Sequence, residues 1–98
     1  MERTSFPDDH AMIFVYASET VLSFWMFNTL ISLDIVFVDN ALRVVDVQRM
    51  DPEPGVSSDR LKVYPSAAPA RYAIEVNAGR AEACGIEVGD AVALELGS

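Results

Sequence analysis

The seventeen residues from Ser23 to Asp39, SFWMFNTLISLDIVFVD, constrain this chain more than any other part of it. They hold Trp25, Met26, three Phe and six aliphatic residues, and among these stand Asn28, Thr29 and Asp34. A segment this apolar belongs at the centre of a fold. A polar group carried inside with it must find a partner, because an unsatisfied buried donor or acceptor costs about 1–3 kcal/mol. Asn28, Thr29 and Asp34 therefore either pin the core or face a ligand.

The chain has 98 residues, 51% of them hydrophobic, which suits a single domain over 1–98. Fifteen acids against seven bases give a net charge of -8, and the bases are scattered singly at Arg3, Arg43, Arg49, Arg60, Lys62, Arg71 and Arg80. Phosphate recognition needs clustered basic side chains, so no nucleic-acid partner is expected. The same acid excess argues against docking on an anionic membrane. Val21 to Val38 approaches the length of a span, roughly 20 residues, but Asp34 near its middle, Asn28 and the lack of flanking Lys or Arg oppose that reading. Cys84 is the single cysteine, so no internal disulfide and no thiolate metal cage can form. Glu2, Asp8 and Asp9 stand where a secretory leader would be basic; with Met1 as the true start, a cytoplasmic protein is expected.

Taken in order, Met1 to His10 reads as an irregular lead-in, and Ala11 to Tyr16 as a buried strand. Ser18 to Thr20 reads as a tight connection to a second strand, Val21 to Phe27. Asn28 to Ser32 suggests a bend or bulge, and Leu33 to Val38 resumes as strand. Asp39-Asn40 is a turn signal leading into Arg43 to Met50, a hairpin in which Val44 breaks the alternation. DPEPGVSSD, residues 51 to 59, is a loop, Leu61 to Tyr64 a short strand, and Pro65 to Pro69 a breaker. Tyr72, Ile74 and Val76 alternate with Arg71, Ala73 and Glu75 as in a strand. Asn77 is a plausible cap for a short helix, Ala78 to Cys84, stopped at Gly85, and Ala91 to Leu96 reads as the last strand. Six to eight short strands with a minor helix predict a mainly β, antiparallel sandwich or barrel.

At this point the chain resembles the domain of unknown function 192 family, an uncharacterised group in bacteria and archaea. The likeness covers nearly the whole chain. It rests on Arg3, Met12-Ile13-Phe14, Phe24-Trp25-Met26, Asn28-Thr29, Leu33-Asp34-Ile35 with Phe37, Tyr72 to Glu75, Gly79, and Gly89-Asp90. The resemblance implies a compact antiparallel fold of jelly-roll type with no settled activity. The chain departs from the family pattern at Ala11, Phe27 and Ser32, where Gly, Lys and Pro are usual. Members also carry an upstream strand. A sheet without that strand would offer an open edge for pairing with a second copy, a homodimer through the N-terminal sheet edge.

Three functions remain open. The first is a non-catalytic β module binding a small polar ligand or partner near Asn28, Thr29 and Asp34, with Arg3 and Trp25 contributing. The second is a hydrolase-like enzyme using Asp34 and another acid, drawn from Asp39, Glu75 or Asp90. The third is a structural or oligomerisation domain. Phe24 and Met26 alternate with Trp25 and Phe27, and the favoured reading buries both sets. One His, with no second, does not make a transition-metal site, and no metal or cofactor is implied. Cys84 reads as a small buried hydrophobe.

Overall fold

The computed structural model describes residues 11–26 and 30–93. Its strands are β1 Met12–Thr20, β2 Ser23–Phe24, β3 Leu33–Val38, β4 Val44–Met50, β5 Tyr64–Pro65 and β6 Ala70–Asn77. One short helix, α1 Arg80–Ala83, follows β6, and a single 3-10 turn spans Ser58–Arg60. Four strands form an antiparallel sheet in the order β1-β6-β3-β4, and β2 pairs with β5 in a separate two-stranded sheet. The fold is mainly β and antiparallel with one short helix, as expected. The two four-stranded sheets of a complete jelly roll are not seen among the described residues.

The apolar segment 33–38 becomes β3, flanked along its edges by β6 and β4 and covered on one face by the α1 side and on the other by the β2–β5 layer. Ile35, Val36, Phe37 and Val38 are all fully buried. Alternation along β3 divides the core in two. Val36 and Val38 pack with Val44, Tyr72, Ile74, Val76, Ala81 and Val92 on the α1 side. Ile35 and Phe37 pack with Leu22, Met26, Met50, Tyr64, Ala70 and Ala73 on the side covered by β2 and β5. There Phe24 contacts both Phe14 and Phe37, with ring centroids 5.1 and 6.0 Å apart.

The turn between β3 and β4 follows from Asp39, whose Oδ1 accepts the N–H groups of Ala41 and Arg43 at 2.9 and 3.0 Å. Leu42 lies at φ 63°, where a side chain is normally unfavourable, and packing against the α1-side core holds it there. Pairing runs from Leu33↔Met50 to Phe37↔Asp46 and then shifts to Val38↔Val44. Val45 is thus the extra residue of a β-bulge, which explains why Val44 breaks the alternation.

Several expectations are corrected. No hairpin joins the first two strands: β1 runs through Thr20 and pairs with β6, and β2 is only two residues long. β1 is an edge strand in regular register from Met12 to Val15, after which its pairing shifts before Thr20. The strand expected over Ala91 to Leu96 is represented by one bridge, Arg43↔Ala91, and residues 94–98 lie outside the described set. Trp25 is 50% exposed rather than buried, whereas Met26 beside it is buried; Phe27 lies outside the described residues. Cys84 is half-buried. No described helix is long and apolar enough to cross a membrane.

Phe37 ties the β2–β5 layer to the main sheet, so Phe37→Ala leaves a large void. We expect a loss of about 3–5 kcal/mol in urea unfolding, enough to bring a domain of ordinary stability close to unfolding at 25 °C.

Candidate functional site

Asp34 follows Leu33 on β3, and alternation turns its carboxylate toward α1, into a position only 7% exposed. Its Oδ2 accepts the N–H groups of Gly79 and Ala81 at 2.9 and 3.2 Å. The first N–H groups of a helix have no partner within the helix, and a side-chain oxygen normally comes from the residue just before it. Here the capping position is Gly79 at φ 92°, which has no side chain to offer, and β3 supplies the oxygen instead. Asn77, expected as the cap, belongs to β6. Asp34 thus pins the core, by bonding backbone N–H groups of a turn 45 residues away.

The other end of α1 is closed as firmly. Gly85, at φ 71°, donates to the carbonyl of Glu82, and Ile86 donates to that of Ala81, both at 2.9 Å. This is a Schellman arrangement, and Ala81 and Ile86 join the same apolar cluster, as that motif favours.

Between this clamped segment and the β3–β4 hairpin lies a cleft of about 340 Å³. Asp34 and Ala81 are its buried lining, Val47 and Ile86 are half-buried, and Arg49, Glu82 and Glu87 are exposed. Asp34 and Arg49 are direct partners in the β3–β4 register, so both side chains lie on the cleft face. Arg49 Nε pairs with Asp51 at 3.5 Å, both side chains being more than half exposed. Such surface pairs contribute about 0–1 kcal/mol.

Of the candidate site residues that the structure describes, Asp34 lines this cleft and Trp25 does not. Trp25 belongs to the segment of Leu22, Phe24 and Met26, which packs on the opposite face of the sheet. Arg3, Asn28, Thr29 and His10 lie outside the described residues. The carboxylates considered as partners for Asp34 have other places. Asp39 holds the hairpin turn, and Asp90 accepts the N–H of Glu87 at 2.8 Å in another turn. Glu75 is opposite Ile35 in the ladder, so its side chain leaves the other face of the sheet. Burial between the apolar neighbours Met12 and Ile35 raises its pKa above the ordinary 4.5. Arg49, Glu82 and Glu87 are not evident as site residues in the sequence; the signal was the hairpin register, which the bulge at Val45 decides.

Comparison with known proteins places this chain in a family. The DUF192 family, described as Uncharacterized ACR, matches residues 1–94. The chain belongs to the DUF192 family. UPF0127 proteins of Thermococcus sibiricus and Thermococcus gammatolerans are 32% and 31% identical to it over 90% of its length. This DUF192 chain spans about half the length of those curated relatives, 53% and 54%. A solved protein of unknown function from Novosphingobium aromaticivorans is 35% identical, with a TM-score of 0.72, covering 93% of this chain and 61% of its own. A solved chain from Sinorhizobium meliloti is 26% identical, with a TM-score of 0.71, covering 93% and 67%. The family is uncharacterised, and the two solved chains share the fold. The Ser32 hydroxyl donates to Asp51 Oδ1 at 2.8 Å.

Two stability predictions follow from the buried carboxyls. Asp34→Ala strands one buried and one part-buried N–H group and should cost about 2–4 kcal/mol in denaturant unfolding, while Asp34→Asn keeps an acceptor and should cost roughly half as much. A loss below 1 kcal/mol for Asp34→Ala would contradict the capping role. For Glu75 the folded-state pKa is raised, so the folded protein binds that proton more readily than the unfolded chain. Its contribution to stability therefore declines as pH rises from below the ordinary carboxylate value through the raised one. Glu75→Gln should have a higher melting temperature than the parent at pH 7, and the gap should close below about pH 4.

Proposed function

We propose that this chain is a non-catalytic β module that binds a small polar ligand in the cleft beside Asp34. The cleft itself carries the reading. Its volume of about 340 Å³ falls in the range of small-molecule sites, and it combines apolar walls with a few convergent polar groups. Both of its sides are rigidly held, one by the β3–β4 ladder and the other by the doubly closed α1 turn. Sites on such elements stay formed without their ligand.

The hydrolase alternative needs Asp34 as an available acid or base. Its Oδ2 is already held by two N–H groups, Asp39 and Asp90 hold turns and Glu75 leaves the far side of the sheet, while Glu82 and Glu87 line the same cleft from exposed positions. Self-association along β1 has Met12 and Val15, both exposed, in its favour. Only Met12 to Val15 keep a regular register, however, and irregularity along an edge strand is a common guard against such pairing.

A fragment screen read by backbone amide NMR tests the proposal. Polar fragments should shift Arg49, Gly79, Ala81, Gly85 and Ile86 together and saturably. Glu82→Trp, which fills the mouth from an exposed position, should remove those shifts with the fold intact. Saturable hits that map only to the β2–β5 side would overturn it.

A further inference from the structure

We infer that the cleft beside Asp34 takes a zwitterion of the α-amino-acid class, with an aliphatic side chain; this rests on the ligand-binding reading above. The lining presents three kinds of chemistry in one small volume. Arg49 offers a planar guanidinium, the group best matched to a carboxylate. Its present partner Asp51 is held at 3.5 Å in solvent, so an incoming carboxylate displaces little. Glu82 and Glu87, both exposed on the same cleft, provide charge for an ammonium group. Val47, Ala81 and Ile86 offer apolar surface to a short hydrocarbon chain.

Ligands with only one charge fit this lining less well. A purely cationic molecule meets Arg49. A purely anionic one meets Glu82 and Glu87, within a chain whose net charge of -8 already repels it. A molecule carrying both charges satisfies both sides, and the volume of about 340 Å³ suits a small one. Asp34 is not asked to contact the ligand; it holds the α1 segment and thereby sets the distance between Glu82 and the Arg49 side.

The test compares three probes on the full chain by amide NMR titration: L-leucine, 3-methylbutylamine (leucine without its carboxylate) and 4-methylpentanoate (leucine without its ammonium). L-leucine should shift Arg49, Gly79, Gly85 and Ile86 saturably, and each truncated probe should bind about tenfold more weakly or worse. Arg49→Ala should erase the preference for leucine over the amine. The double variant Glu82→Gln, Glu87→Gln should erase its preference over the acid; all these positions are exposed, so spectra of the free variants confirm the fold. Either truncated probe binding as tightly as leucine would overturn the inference. So would silence toward leucine while other polar fragments shift the cleft, an outcome that leaves the binding-module reading standing. Silence toward leucine and every other compound would remove both.

Discussion

One carboxylate oxygen ties the start of α1 to β3, an inner strand of the sheet. Asp34 Oδ2 accepts two N–H groups from the start of α1, and it does so from inside the sheet, where β3 is pinned between two neighbours. A four-residue helix has almost no stability of its own, since nucleation is unfavourable and there is no length over which to recover it. Its position is therefore imposed from outside, by Asp34 at its start and by the packing of Ala81 and Ile86 against the sheet, while the Gly85 and Ile86 hydrogen bonds close its end locally. Charge-assisted bonds to a buried acceptor are among the stronger ones available for this.

From that anchor the rest of the cleft follows geometrically. β3 gives one face to the α1 layer and the other to the β2–β5 layer, so any residue on the ladder is committed to one side. Asp34, Val47 and Arg49 are committed to the α1 side. Glu75 and the Trp25 segment are committed to the other. The sheet itself separates groups that are close in sequence and brings together groups that are far apart, such as Arg49 and Glu82. What results is a mixed-charge cleft in an acidic domain of an uncharacterised family.

Much of the fold was legible along the chain because it depends on local rules. Leu33 to Val38 reads as strand from its apolar run, and is one. Asp39 marks the hairpin turn through hydrogen bonds that reach no further than Arg43. Gly85 ends the helix because the backbone there needs a positive φ. The pairing of β1 with β6 was not legible, since proximity in sequence suggested β2 and only the core decides between distant strands. Nor was the exposure of Trp25, because a run apolar on every position does not say which residues face out.

The candidate site divides along the same line. Composition and periodicity were enough to determine an acidic, mainly antiparallel domain with Asp34 drawn into its interior, because hydrophobic burial and local turn chemistry act over a few residues. Tertiary structure alone decided what Asp34 does there. The bulge at Val45 shifts β4 by one position, so that Arg49 rather than Gln48 stands opposite Asp34 on the cleft face. Closure of a loop of 45 residues then brings Gly79 and Ala81 onto the carboxylate. Neither event has a local signature, since each is selected by the free energy of the whole packed core.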